Sequence, residues 1–295
     1  MAGKGGMEVP AVSTAISVFV DATLITFVFA LAALGLAVIF GLVGVINMGH
    51  GAMLTLGAYF MWAATTAGIP FVASIVIAAL GVALIGLALE HFVIRFFYGR
   101  PFETLLLTWG FFLVATEVIK IVFGTDLRTV QNPLPGAINL GVIQIPAYRT
   151  VVALLSLASL VALAALLFKT SLGIKIRALT QNAEMAGLLG LNIGQTYKAV
   201  FVGGAFLAGL AGALISPMLS IDPYIGNIFL VRGFFIVIVG GIGQVLGGTL
   251  VGSFVIGGSE TVFALFFGQV ISQTIVFALA IVLLRLRPAG LVVRR

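Results

Sequence analysis

The chain has 295 residues, 61% of them hydrophobic and only 8% charged, with a mean hydropathy of +1.27. Ordinary soluble domains carry about 25% charged residues, so this much apolar surface excludes a water-soluble fold and calls for lipid. The formal charge of +6 does not indicate nucleic acid, because the basic residues sit in short clusters between apolar runs, where they set topology.

Met1 to Pro10 holds one basic residue, Lys4, and the apolar run after it far exceeds a signal-peptide core, so it reads as an uncleaved span. At about 20 apolar residues per crossing, spans are expected near 14–40, 51–68, 71–94, 104–123, 150–168, 199–220, 229–257 and 261–285. The expected fold is an all-α integral membrane protein, a polytopic bundle of about eight spans forming one transmembrane domain over 1–295. With no cysteine, a disulfide framework, a thiolate metal site and a Cys nucleophile are excluded.

From the end of the first run into the second lies Gly41 to Tyr59, which holds Asn47, His50 and five glycines in sequence long enough to enter a bilayer. Lipid offers no partner to a polar side chain or a free backbone group, so such a stretch must face protein or a water-filled path. A Gly-rich helix–helix contact is the structural alternative. Gly44, Gly49 and Gly51 allow the backbone to turn here. Asn47 and His50 either line a path or satisfy a loose carbonyl at the break. A metal role for His50 is improbable, since only His91 accompanies it.

Arg95 and Arg100 follow the third run; Lys169, Lys175, Arg177 and Lys198 separate the fifth and sixth; Arg285, Arg287, Arg294 and Arg295 close the chain. All three clusters should be cytoplasmic, and crossing parity then places 124–149 outside despite Arg128 and Arg149. His91 and Glu90 read as a solvated interface near a span end. Glu117 and Lys120, three apart on one helix, can pair. Parity fails at the end of the chain, where two simple crossings would leave the last arginines outside. The conflict vanishes if 229–257 enters and returns, or forms two short crossings. Gly240, Gly241, Gly243 and Gln244, with Gly247 and Gly248, supply the break. This second break, set against 44–51, suggests an internal duplication with broken or re-entrant helices in matching positions. Glu260, near a span start, is a candidate for contact with a partner membrane subunit or with a soluble partner outside the membrane.

The 169–198 loop should be cytoplasmic and partly helical. Thr180 or Asn182 can cap a short helix with Glu184 in its first turn, Gly190 can stop it, and Asn192 with Gln195 resembles a capping box for the next helix. Met185, Ala186, Leu188 and Leu189 would give that helix an apolar face, which needs the membrane surface or a soluble partner.

Gly41 to Tyr59, Arg177 to Ala186 with Leu189 to Asn192, Val239 to Gly243 and the ending Arg285 to Leu291 together resemble the permease subunits of branched-chain amino acid ABC importers, from about 20 to 292. The LivH-like half is the nearest group. Gly99 to Gly110 looks like the urea-importer branch of the same family, whereas Asp222 to Gly226 reads at least as well as the amino-acid branch. The resemblance implies half of a transmembrane pair in a bacterial or archaeal cytoplasmic membrane. Its expected partners are a second permease subunit in a heterodimer, two cytoplasmic ABC ATPases that bind ATP-Mg, and a periplasmic or lipid-anchored substrate-binding protein. The chain itself, with no Gly-x-x-x-x-Gly-Lys-Ser/Thr phosphate loop, would bind no cofactor and hydrolyse nothing. A helix over 178–190 would couple to the ATPase through Arg177, Thr180, Asn182, Glu184, Met185, Ala186, Leu188 and Leu189. Asn47, His50 and Gln244, with the glycines at 44, 49, 51, 240, 241 and 243, would line the path. The rival classes are a passive channel for a small neutral solute and an ion-coupled carrier, for which Glu117 is the main carboxylate.

Overall fold

The computed structural model describes residues 8–139 and 144–292, the first eight of them as backbone alone; Lys4, Arg294 and Arg295 lie outside the described residues. The chain is a helical bundle, as its composition requires. Helix α1 (Glu8–Val43) is 36 residues long, a rise of about 54 Å at 1.5 Å per residue. It stops at Gly44, whose φ of +74° suits a residue without a Cβ. An irregular stretch over 44–49 leads into α2 (His50–Thr66) and then α3 (Phe71–Phe92). After a 3₁₀ turn comes α4 (Pro101–Phe123), with proline at its first position, where the missing N–H costs nothing. A two-stranded antiparallel hairpin, β1 (Ala137–Asn139) and β2 (Gln144–Pro146), pairs Ile138 with Ile145 and feeds α5 (Ala147–Lys169). Two short helices, α6 (Ser171–Gln181) and α7 (Ala183–Leu188), precede α8 (Ile193–Ile215). The last third holds α9 (Ile225–Gly240), α10 (Val245–Ser253), a π-helical turn (Phe254–Gly258), α11 (Ser259–Phe267) and α12 (Gln269–Leu286).

Seven helical segments among the described residues are long and apolar enough to cross a membrane, and α9 is a shorter apolar helix beside them. The expected count of about eight is roughly matched, but the expected span at 51–68, here the 17-residue α2, is not among the seven, and the boundaries differ at the end of the chain. Residues 229–257 and 261–285 are not two units. The chain breaks at 241–244 and again at Gly268 (φ +74°), so that 245–267 forms one segment of its own between α9 and α12. Three helical segments stand where two runs were read, in keeping with the expected break at 240–248.

Contacts show which ends lie together. Arg128 and Ile221 exchange backbone hydrogen bonds of 2.9 and 2.7 Å, which joins 124–149 to the loop before α9. At the opposite end Lys198 meets Glu90, and Tyr98 stacks at a tilt on Tyr197. The tail after α12 also returns there: Leu291 N–H donates to Val239 O (2.8 Å) and Val292 N–H to Gly240 O (3.1 Å). Val38, Leu167, Ile176, Val200, Val237 and Val245 share one apolar cluster that ties these pieces together. The described members of the three basic groups thus gather at one end of the bundle, here the basic end, and the β-hairpin marks the other.

Helix α8 is the axle, packed on α1, α2 and α3. Small residues let it approach: a side chain on Gly57 would strike Gly209, and one on Gly86 would strike Ala205. Several buried hydroxyls are satisfied inside their own helices. Thr26 donates to Ala22 O (2.7 Å) and Thr116 to Phe112 O (2.8 Å), so they cost little in an apolar setting.

Candidate functional site

After an exposed Gly44 the first break is buried or half-buried, and it is held by Thr108 from another helix. Thr108 on α4 serves it: Met48 N–H donates to Thr108 Oγ1 (3.0 Å), while that hydroxyl lies 2.8 Å from Thr104 O of its own helix and 3.2 Å from Ile46 O. His50 Nε2 donates to Ala32 O on α1 (2.8 Å), which fixes the proton on Nε2 and leaves Nδ1 as an acceptor. Asn47 Nδ2 lies 3.9 Å from Met53 Sδ. Asn47 Oδ1 and His50 Nδ1 are buried with no partner among the described residues. Gly49 is closed in by Thr108 and Phe111, and Gly51 by Gly226, while Gly44 has open space around it.

The second break is a surface turn made by the backbone. Gly241 (φ +110°) and Gly243 (φ +90°) take conformations that L residues avoid. Gln244 N–H donates to Gly241 O (3.1 Å), and Gln244 is half-buried above α10. Gly240 is wedged against Gly248, and Gly241 lies under the tail at Ala289 and Val292. The two breaks meet where Gly41, at the end of α1, faces Gly243 and Val245. The helix order around them differs, for α1 runs straight into the first, whereas a separate α9 follows α8 before the second.

The loop between α5 and α8 takes its shape from its caps. Thr170 accepts from Gly173 N–H (3.2 Å), Asn182 from Met185 N–H (2.9 Å) and Asn192 from Gln195 N–H (3.0 Å). Asn182 is therefore the cap, and Thr180 lies inside α6 with its hydroxyl on Arg177 O (3.0 Å). The expected single helix over 178–190 is instead two, because the Asn182 cap ends one and starts the other. Gly190 (φ +85°) ends α7, with Leu191 N–H donating to Ala186 O (3.1 Å), the usual glycine stop. Arg177 reaches back to Leu167 O (2.7 Å) and lies over the Phe168 ring, locking α6 to α5. Ala186 is buried against the bundle, whereas Met185, Leu188 and Leu189 are 55, 78 and 78% exposed. Glu184 sits in the first turn of α7. The apolar face is thus three residues, with Ala186 as its anchor.

Other charges lie elsewhere than expected. Glu90 is buried rather than solvated: it accepts from Tyr98 Oη (3.1 Å) and lies 3.7 Å from Lys198 Nζ. Burial, with Glu90 beside it, raises the Tyr98 hydroxyl well above its ordinary pKa. Glu117 and Lys120 do pair, at 2.5 Å, and Lys120 also reaches Tyr224 (3.2 Å). Glu260 does not face outward for a partner. It is buried in a two-point pair with Arg232 on α9, at 2.7 and 3.1 Å. Sequence reading passed over Arg232, yet a lone arginine in the apolar run of α9 was the signal. Among the described residues no group of three or more His, Cys, Asp or Glu could hold a metal ion.

A family model described as branched-chain amino acid transport system / permease component matches residues 18–285. The chain is 26% identical over 282 residues to the high-affinity branched-chain amino acid transport system permease protein BraD of Pseudomonas aeruginosa, covering 90% of this chain and 92% of that protein. It is 26% identical over 288 residues to LivH of Escherichia coli, a protein of the same description, covering 90% and 91%. A probable branched-chain amino acid transport permease protein LivH of Methanocaldococcus jannaschii is 33% identical over 130 residues, 40% of this chain and 41% of that one. No solved structure matches. A chain-length match to the family, on a bundle of membrane-spanning helices, makes this multi-pass membrane protein a member of the branched-chain amino acid transport system permease family.

Proposed function

We propose that this chain is one transmembrane subunit of an ATP-driven ABC importer in a bacterial or archaeal cytoplasmic membrane, and that it forms half of the path for branched-chain amino acids. The observation that carries the ATP-driven reading is α7: a rigidly capped helix at the basic end that presents Met185, Leu188 and Leu189 to solvent. Exposed apolar residues on a fixed support fit a protein cleft. An ATPase seated there would drive the spans between two states, provided it binds those states with different free energies. Arg177, Thr180, Asn182, Glu184 and Ala186 hold the shape of that element. The tie from Arg177 to α5, with the Asn192 cap of α8, gives a push on α7 a stiff route into the bundle.

In this reading a second permease subunit, different from this one, completes the path. Two cytoplasmic ATPases hold ATP-Mg, and a periplasmic or lipid-anchored binding protein delivers the solute. The two breaks supply the flexible polar part of the path. Asn47, His50 and glycines 44, 49 and 51 stand on one side, with glycines 240, 241 and 243 and Gln244 on the other, joined where Gly41 faces Gly243.

The test is purification of the tagged chain from its native membranes, with identification of what accompanies it. A phosphate-loop ATPase, a second permease and a binding protein that responds to leucine are expected. A binding protein that answers to urea alone would move the solute to the amide branch. A lone homo-oligomer would favour a channel or carrier. Leu188→Asp with Leu189→Asp should leave the fold within about 0.5 kcal/mol of wild type and abolish ATPase copurification; retention of the ATPase would sink the coupling role of α7.

A further inference from the structure

The Arg232–Glu260 pair is the least economical feature of the bundle. Charges within a membrane protein are costly, and a buried ion pair is often matched or bettered in stability by apolar side chains of similar size. Packing alone does not call for it. The pair also borders open space: a cavity of about 700 Å³ has Arg232 and Glu260 in its wall. Val28, Phe29 and Leu265 make the wall apolar, while Arg149, Gln269 and Gln273 add polar groups. Arg149 lies in the first turn of α5 and Gln269 begins α12, so the cavity lies toward the hairpin end.

We infer that this cavity is a way-station for the head group of a zwitterionic α-amino acid, with Arg232 receiving the carboxylate and Glu260 the ammonium. The inference rests on the branched-chain reading above. Arg232 spends Nε and Nη2 on Glu260, which leaves Nη1 with no partner among the described residues. The Glu260 carboxylate has about four acceptor positions and uses two of them on Arg232. A zwitterion can therefore bridge the pair without changing the net charge of the cavity. A singly charged solute would leave one member of the pair uncompensated, at a desolvation cost.

The backbone is shaped for this purpose. The π-helical turn Phe254–Gly258 ends two residues before Glu260 and shifts the register of the segment. Such turns recur at functional sites because they re-aim the side chains that follow. Gly257 within it lies against Phe29 and Ile25, and Phe29 in turn carries the Arg232 guanidinium over its ring at 5.2 Å. The turn, the aromatic platform and the ion pair form one connected support.

The experiment uses the assembled importer in proteoliposomes with its binding protein, following uptake of radiolabelled L-leucine. Replacing both charges, R232M with E260M, should lower uptake at least about tenfold while the complex still assembles and hydrolyses ATP. The reversed pair, R232E with E260R, keeps an internal ion pair but presents it backwards to the apolar wall, and should stay equally low. Wild-type uptake by the doubly apolar variant, or recovery in the reversed pair, overturns the inference and leaves only a structural staple. If the apolar variant fails to assemble, the reversed pair decides alone. A wild-type complex that imports urea but no leucine would instead overturn the branched-chain reading, and the zwitterion site with it.

Discussion

The two glycine-rich breaks look alike in sequence and are built in opposite ways. At 45–49 the backbone lies within the bundle, Thr108 of α4 accepts from Met48 N–H, and His50 at the start of α2 ties the stretch to Ala32 O of α1. At 241–244 the backbone closes a turn on itself, Ile242 is exposed, and the C-terminal tail adds backbone bonds to Val239 and Gly240. A free peptide group in an apolar interior costs several kcal/mol, so an interior break needs polar side chains brought to it. A break at the end of the bundle needs only glycine geometry and nearby backbone. Buried polar side chains, Asn47 and His50, mark the first kind of break, and two positive-φ glycines, Gly241 and Gly243, mark the second.

The comparison can be broken most severely at Gly240. A side chain there would drive into the Gly248 carbonyl, backbone against backbone, with no flexible group to yield. Gly240→Val should cost more than about 3 kcal/mol, read as loss of the folded protein in detergent thermal unfolding; a normal unfolding temperature would show that α9 and α10 are not in close contact. Thr108→Val comes next. It keeps the shape and removes the hydroxyl that accepts from Met48 N–H, so the interior break should lose about 1–3 kcal/mol. An unchanged stability would mean that water or another group satisfies that backbone. The smallest effect is expected at Gly44→Ala. Open space surrounds Gly44, so only its φ of +74° is penalised, at about 1 kcal/mol. A larger loss would place an unseen contact at the end of α1.

The same logic explains which charges were misread. Glu90 and Glu260 each lie at a span end in the sequence, where a solvated or partner-facing carboxylate is the natural expectation. In the structure both turn inward, because a cation from a distant helix waits there: Lys198 on α8 for Glu90, and Arg232 on α9 for Glu260. Glu117 and Lys120 were legible in advance because they are neighbours on one helix. Ala186 shows the limit at smaller scale. Its place in an apolar stretch is visible, but whether it faces the bundle or solvent depends on the angle at which α7 leaves the Asn182 cap.

By itself the sequence determined the membrane class, the helical content, the places where helices stop, and the family, since all four follow from local composition, capping residues and motif order. Apolar length decides what enters a bilayer, and a side chain such as Asn182 or Asn192 caps the helix next to it wherever that helix goes. Tertiary structure alone decided the division of the last third at Gly268, the partners of the buried charges and the cavity beside Arg232. Those depend on which helices become neighbours, and the free energy of a charge or a loose peptide group is set by atoms far away in the chain.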